Sequence, residues 1–221
     1  MIKEKLGSRL DGWIHSLFPF LFWWSIPPDI LTVVGTLVAS AAGLAFAQGA
    51  FVLGGGMLLA GGFFDLVDGV VARHFGTTSD FGGFLDSCLD RVVDILVVLG
   101  LFAHATRSGD VALAGACAAV LVGSVLTSYA KARAELVIAH LPGGLLERGE
   151  RIGLLALGAL CGWIEPVVWL LAVGTLVTAG QRFLYARRAM APGGRARVGA
   201  GGAPGSGARH AISPASRQEG S

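Results

Sequence analysis

The chain has 221 residues, of which 53% are hydrophobic and 14% are charged, and its mean hydropathy is +0.67. Soluble domains carry about 25% charged residues, so this composition excludes an ordinary soluble domain and indicates an integral membrane protein. A net charge of +2 does not suggest a nucleic-acid partner, and three scattered cysteines without a CxxC spacing indicate neither a disulfide framework nor a thiolate metal site.

The N-terminal stretch alternates charged residues with bulky apolar ones. Its apolar residues, from Leu6 to Leu17, recur at helical spacing, and aromatic residues follow at 18–24. This pattern predicts an interfacial amphipathic helix over residues 1–24 that lies on the membrane surface. Acidic residues interrupt the stretch and no small-residue cleavage site follows it, so a signal peptide is not expected.

Six apolar segments follow Pro27 and Pro28, and the predicted fold is all-α. We expect six transmembrane helices after the amphipathic helix, since a spanning helix needs about 20 residues. The fifth segment is short, and residues 163–166 read as a tight turn that separates it from the sixth. The segments run over residues 30–47, 50–72, 83–105, 111–137, 150–164 and 166–185.

The lysines and arginines predict the orientation of these helices. With six spans, one set of connections carries only Arg107, and the other side receives nearly all the remaining cations. The positive-inside rule then places both termini on the cytoplasmic side of the cell membrane. The cations on that side are Lys3, Lys5, Arg9, Arg73, Lys131, Arg133, Arg148, Arg151, Arg182, Arg187 and Arg188.

The composition also divides the chain into parts. We expect the six-helix domain to cover residues 25–190. From Pro192 onward the chain is rich in Gly, Ala, Pro, Ser and Arg and shows no periodicity, which predicts a disordered tail over residues 191–221.

Residues 65–94 concentrate negative charge between the second and third segments. Asp65 and Asp68 are three positions apart at the end of one predicted helix, and Asp86 and Asp90 are four apart at the start of the next. Each pair therefore shares a helix face. A short polar loop joins the two helices, so the two pairs can converge at the cytoplasmic border of the membrane.

Converging carboxylates at a membrane border need a counter-charge. The local cations, Arg73 and Arg91, are too few to supply it. Oxygen ligands alone favour a hard divalent cation, Mg²⁺ or Mn²⁺, over zinc. For any single aspartate, an ordinary solvated helix end is an open alternative. Asp80 is expected in the loop, and Asp94 is expected either to support the metal ligands from behind or to pair with Arg91 or Lys131.

The spacing of these residues resembles a known signature. Asp65-x2-Asp68-Gly69-x2-Ala72-Arg73-x8-Gly82-x3-Asp86-x3-Asp90 is similar to the motif of the CDP-alcohol phosphotransferases, which are membrane enzymes of phospholipid synthesis. The resemblance implies a six-helix homodimer with a polar cavity at the cytoplasmic border. It implies two Mg²⁺ or Mn²⁺ ions, held by Asp65, Asp68, Asp86 and Asp90.

The same resemblance implies a reaction. A hydroxyl group attacks the β-phosphorus of a CDP-linked lipid and CMP leaves, with Asp90 as the base that deprotonates the acceptor. The residues implied for binding the CDP-lipid are Asp29, Thr32, Gly69, Ala72, Arg73, Ser79 and Gly82. For Asp29 and Thr32, the N-cap and first turn of the first helix is an equally good interpretation, and for the glycines it is helix packing.

Segments outside the motif bear on the acceptor. "SIPPDILTVVGT", "SYAKARAE", "GLLERGERIG" and "TLVTAGQRFLYARR" are similar to phosphatidylinositol-phosphate synthases, whose acceptor is a phosphorylated inositol. A phosphate at a low-dielectric border favours several charge-assisted donors. The resemblance implies an acceptor-phosphate pocket of Ser128, Lys131, Arg151 and Arg182, with Arg133 and Arg148 as weaker candidates.

Three alternatives are open at this stage. Basic residues at cytoplasmic helix ends also follow from the positive-inside rule without any pocket. Glycerol 3-phosphate, the acceptor of a phosphatidylglycerophosphate synthase, would need similar cations. A cation transporter would place carboxylates near the middle of the membrane, whereas here they gather at one border.

Overall fold

The computed structural model describes residues 28–75, 79–138, 141 and 144–191. The predicted amphipathic helix at 1–24 and the predicted tail from residue 192 onward lie outside the described residues. The described part of the chain is helical, as the sequence predicted. Its helices are α1 (Pro28–Ala47), α2 (Phe51–Phe75), α3 (Asp80–Arg107), α4 (Val111–Ala134), α5 (Arg148–Leu160) and α6 (Ile164–Met190).

Three of the connections are tight turns built around a glycine. Gly49, Gly109 and Gly162 have φ values of 78°, 74° and 75°, in the left-handed region that glycine enters without steric cost. In each turn a backbone N–H just after the glycine donates to a carbonyl five residues earlier, which closes the preceding helix. These turns reverse the chain after α1, α3 and α5, so they share one end of the molecule.

The helices pack as a closed ring in the order α1, α2, α5, α6, α4, α3. Small residues allow close approach within it. A Cβ atom added to Gly100 on α3 would lie 2.0 Å from the carbonyl oxygen of Gly43 on α1, so neither position has room for a side chain. The ring encloses a core of side chains such as Phe46, Leu58 and Leu171.

Because consecutive helices alternate in direction, six helix termini meet at the end of the ring opposite the glycine turns. These are the N-termini of α1, α3 and α5 and the C-termini of α2, α4 and α6. The aspartates of the motif and the predicted acceptor cations all belong to these termini. The alternation therefore gathers residues from the whole chain at one end of the bundle.

Two local predictions were wrong. The predicted turn at residues 163–166 lies earlier, at 161–163, and Pro166 is the third residue of α6, where a missing N–H costs no helical hydrogen bond. Asp80 is not in a loop but is the first residue of α3, because Ser79 caps that helix by accepting from the backbone N–H of Gly82 at 2.9 Å.

Four of the six helices are long and apolar enough to cross a membrane: those with the windows Ile30–Ala47, Phe51–Asp68, Val111–Ala134 and Ile164–Met190. The other two depart from that pattern for different reasons. α3 has 28 residues but carries Asp86, Asp90, Arg91 and Asp94 among its first 15. α5 has only 13 residues, about 20 Å of helix against about 30 Å of hydrocarbon. Spanning by α3 and α5 stays a prediction.

Candidate active site

Three of the motif aspartates converge between the last three turns of α2 and the first three turns of α3. Asp65, Asp86 and Asp90 each offer a carboxylate oxygen, and these oxygens all lie within 4.8 Å of one another. The i, i+4 spacing on α3 turns Asp86 and Asp90 to the same face, towards Asp65. We call these three residues the carboxylate cluster. It is an all-oxygen donor set, which fits Mg²⁺ or Mn²⁺.

Asp68, the fourth predicted metal ligand, is not one of these three carboxylates. It is buried, and its Oδ2 accepts a hydrogen bond from the Thr32 hydroxyl on α1. The structure therefore brings together three of the four predicted ligands and ties the fourth to α1. It also gives Thr32, predicted as a nucleotide contact, a partner within the protein.

Arg148, at the first position of α5, supplies positive charge to the carboxylate cluster. Its Nη2 lies 2.8 Å from Asp90 Oδ1, and its Nη1 lies 3.7 Å from Asp65 Oδ2. Its Nε lies 3.7 Å from Oδ1 of Asp94, one turn further along α3. Sequence reasoning ranked Arg148 only as a weaker acceptor candidate. The sequence did contain a signal for this role, because Arg148 and Arg151 are three positions apart and therefore share a helix face.

Asp94 pairs with Arg151, so the second of its two predicted roles, a pairing with Arg91 or Lys131, was wrong. Arg151 Nη2 lies 2.8 Å from Asp94 Oδ2, and the two residues are only 5% and 8% exposed. Arg91 instead donates to the Ser87 carbonyl at 2.7 Å and lies 3.5 Å from Asp90. The Asp94–Arg151 ion pair thus joins α3 to α5 inside the bundle.

The loop before α5 fixes the position of Arg148 and Arg151 along the bundle. Glu147 caps the helix in a capping box with Glu150, whose carboxylate accepts from the Glu147 N–H at 2.8 Å. The preceding backbone is held by α6, because Thr178 and Gln181 accept from the N–H groups of residues 146 and 145 at 3.1 Å. Both arginines therefore meet α3 in a defined register.

The remaining predicted acceptor residues lie at the same end of the ring. Arg182 on α6 is 5% exposed and donates to the Thr127 carbonyl at 2.7 Å, and its buried Nε has no hydrogen-bond partner among the described residues. Ser128 and Lys131 are half-buried in the last two turns of α4. Lys131 forms no ion pair with a described residue. Arg133 is exposed.

The predicted CDP-lipid residues are only partly described. Ser79 is exposed and caps α3, and Gly82 lies in the first turn of that helix. The side chains of Asp29, Ala72 and Arg73, and the surroundings of Gly69, lie outside the described part of the structure.

A cavity adjoins the carboxylate cluster between α1, α2, α3 and α5. Its charged lining is formed by Asp65, Asp90 and Arg148, and its other lining residues include Gly35 and Gly61, where α1 and α2 pack too closely for a side chain. The other lining residues are Thr32, Gly35, Thr36, Ala39, Leu58, Gly61, Gly62, Val93 and Ile152.

Comparison with known proteins agrees with this geometry. The profile of the CDP-alcohol phosphatidyltransferase family matches residues 25–191, which includes all six helices. The chain belongs to this family. The predicted membership, and with it the identification as a CDP-alcohol phosphatidyltransferase, is confirmed.

Two curated members of the CDP-alcohol phosphatidyltransferase family illustrate the similarity. The archaetidylinositol phosphate synthase of Methanothermobacter thermautotrophicus is 37% identical over 169 residues, 73% of this chain and 83% of that protein. The phosphatidylinositol phosphate synthase of Mycobacteroides abscessus is 37% identical over 164 residues, 70% and 74% of the two chains.

Solved structures of a family member are also similar. The phosphatidylinositol phosphate synthase of Mycobacterium tuberculosis in complex with manganese and citrate has a TM-score of 0.72 and 31% identity, covering 78% of this chain and 88% of that one. The same enzyme with CDP-DAG bound has a TM-score of 0.73, with 81% and 95% covered. The expected divalent cation is therefore supported both by the carboxylate cluster and by a manganese-containing relative.

The buried ion pair generates a stability prediction. Asp94→Leu leaves the Arg151 guanidinium buried without its partner, and we expect the free energy of unfolding to fall by about 3–5 kcal/mol. The double variant Asp94→Leu/Arg151→Met removes both charges and is expected to recover most of that loss. Thermal unfolding of the purified protein in detergent measures both, with the exposed Asp80→Asn as control. A single variant no less stable than the double variant would contradict the assignment.

Proposed function

We propose that this chain transfers the phosphatidyl group of a CDP-diacylglycerol-type lipid to a hydroxyl group of inositol phosphate and releases CMP. The observation that carries the proposal is the placement of the carboxylate cluster beside basic residues of α4, α5 and α6 at one end of the ring. The cluster suits a diphosphate neutralised by divalent cations, and the basic residues suit a second, phosphorylated substrate.

The relatives support both halves of this reaction. A similar structure contains CDP-DAG, which supports a CDP-linked lipid as the donor. The curated relatives compared above are named for lipid products with an inositol phosphate head group. One of them makes an archaetidyl lipid and the other a phosphatidyl lipid. We therefore assign the donor by its CDP-linked head group and leave the chemistry of its tails open.

The carboxylate cluster would hold the divalent cations, with Asp68 as the predicted fourth ligand. When bound, two such ions neutralise the diphosphate and stabilise the attacking and leaving oxygens. Asp90 is the proposed general base, the role that the motif resemblance implies, and its side chain is 17% exposed and lies next to Arg148 and the cavity. It takes the proton of the acceptor hydroxyl as the new phosphorus–oxygen bond forms, a contribution of about 10²–10⁴-fold.

The acceptor phosphate would be bound by Lys131, Ser128, Arg182 and Arg151. Lys131 has no ion pair with a described residue, and Arg182 has an unused Nε–H, so both retain donors for a phosphate. Arg151 is already fixed by Asp94, which orients its guanidinium. Charge-assisted hydrogen bonds of this kind contribute about 1.5–3 kcal/mol each.

The proposal also covers the location, the topology and the oligomeric state of the enzyme. We infer a cytoplasmic-membrane enzyme with six spanning helices, both termini in the cytoplasm, and a homodimeric state. The border location suits the substrates, since the lipid tails stay in the bilayer while the acceptor arrives from water.

An acceptor panel tests the proposed function. Purified protein is incubated with CDP-diacylglycerol, Mn²⁺ or Mg²⁺, and labelled inositol phosphate, glycerol 3-phosphate, inositol or serine. We expect lipid product and CMP with inositol phosphate, at a rate at least about 10-fold above any other acceptor, the ratio that 1.4 kcal/mol of discrimination produces. A preference for glycerol 3-phosphate would contradict inositol phosphate as the acceptor but would agree with the proposed type of reaction.

Asp90 is tested by Asp90→Asn, which keeps the size of the side chain and removes its basicity. We expect CMP release to fall at least about 100-fold, the lower range for loss of a general base, while the protein remains folded by thermal unfolding. Asp80→Asn is the matched control, because Asp80 lies on the same helix outside the carboxylate cluster. Full activity in Asp90→Asn would contradict the mechanism.

Lys131 is tested by Lys131→Gln. We expect KM for inositol phosphate to rise about 10-fold or more, as loss of one charge-assisted hydrogen bond implies, and KM for the CDP-lipid to change little. Arg133→Gln, the same kind of change at an exposed site on the same helix, is expected to alter neither. Equal increases in both KM values would remove Lys131 from the acceptor pocket.

A further inference from the structure

Arg148 and Arg151 lie one turn apart on α5, yet their surroundings differ. The Arg151 side chain is 6% exposed and pairs with Asp94 at 2.8 Å inside the bundle. The Arg148 side chain is 26% exposed, lines the cavity and spreads its guanidinium over three carboxylates. The guanidinium of Arg151 is thus held in place by Asp94, whereas Arg148 lies at the more exposed side of the carboxylate cluster.

Arg148 supplies positive charge to the carboxylate cluster, but not all of its N–H groups have a hydrogen-bond partner there. Only its contact with Asp90 is at hydrogen-bond distance, and the contacts with Asp65 and Asp94 are both 3.7 Å. Its buried Nε and the Asp94 Oδ1 that faces it have no hydrogen-bond partner among the described residues. A buried N–H without a partner is unfavourable, so this position is stabilised mainly by charge.

We propose that Arg148 is the resident counter-ion of the carboxylate cluster and that it competes with the first divalent cation for Asp90 and Asp65. Cation binding then loosens the hold of the carboxylates on the Arg148 guanidinium, which already lines the adjoining cavity. The proposal rests on the metal-dependent reaction proposed above, but it concerns cation binding alone and does not depend on the acceptor.

The physical basis is competition between like charges for the same oxygen atoms. A guanidinium 2.8 Å from Asp90 Oδ1 and a divalent cation on the same carboxylate repel each other, and the effect is strongest where water is scarce. Linkage makes the effect reciprocal. Removing Arg148 strengthens cation binding, and cation binding weakens the Arg148–Asp90 ion pair.

The first measurement is Mn²⁺ affinity, read from the free-ion electron paramagnetic resonance signal of purified protein in detergent without lipid substrate. Arg148→Gln is expected to bind Mn²⁺ about 5- to 150-fold more tightly than the unaltered protein, the usual range of coupling between two sites. Arg91→Gln is the matched control. It removes the same charge beside Asp90, but Arg91 is anchored on the Ser87 carbonyl and lies 3.5 Å from the carboxylate, so we expect a clearly smaller change.

The second measurement uses the unaltered protein and so does not depend on the folding of a variant. Arginines are modified with a dicarbonyl reagent in EDTA and in Mn²⁺, and the modified peptides are quantified by mass spectrometry. Arg148 is expected to react faster in Mn²⁺ than in EDTA, and Arg151 is expected to stay protected in both.

The outcomes separate this proposal from the proposed function. Mn²⁺ binding by folded Arg148→Gln that is equal to or weaker than that of the unaltered protein overturns it. Arg148 labelling that Mn²⁺ leaves unchanged also overturns it, and decides alone if Arg148→Gln does not fold. Failure of every acceptor in the transfer assay would reject the proposed function while leaving these binding results as they stand.

Discussion

The structure depends on one electrostatic constraint: several carboxylates converge at one end of a helical bundle in an apolar chain. Asp65, Asp86 and Asp90 lie close enough to repel one another strongly, and burial makes that repulsion costly. Positive charge must therefore come from elsewhere in the fold. The alternation of the six helices places the first turn of α5, with Arg148 and Arg151, at the same end, and the capping box and α6 hold it in register.

Arg148 and Arg151 compensate the negative charge of the aspartates in different ways. Arg151 closes a buried ion pair with Asp94, which fixes α5 against α3 and costs stability if either partner is removed alone. Arg148 lies further out, over the carboxylate cluster and the cavity, where its charge is available both to the carboxylates and to a phosphate-bearing ligand. The buried Asp94–Arg151 pair therefore holds α5 in place behind Arg148, whose charge we propose to be displaced by a divalent cation.

Much of this site was predictable from local spacing. The i, i+3 and i, i+4 pairs of aspartates predicted their shared helix faces, and the hydropathy predicted helices close to those observed. The partner of Asp94 was not predictable in this way, because Arg151 lies 57 positions further along and only the ring packing brings it to α3. Asp68 shows the same limit, since its contact with Thr32 spans 36 positions. The turn before α6 was misplaced because a proline is tolerated in the first turn of a helix, where it resembles a helix breaker in sequence alone.

We infer that Asp65, Asp86 and Asp90 form one divalent-cation site that serves phosphatidyl transfer. Crystals of the protein grown with Mn²⁺ and measured at the manganese absorption edge test it most directly. We expect an anomalous difference peak in bonding contact with all three carboxylates. Well-ordered carboxylates with no peak between them, and manganese bound elsewhere, would contradict it.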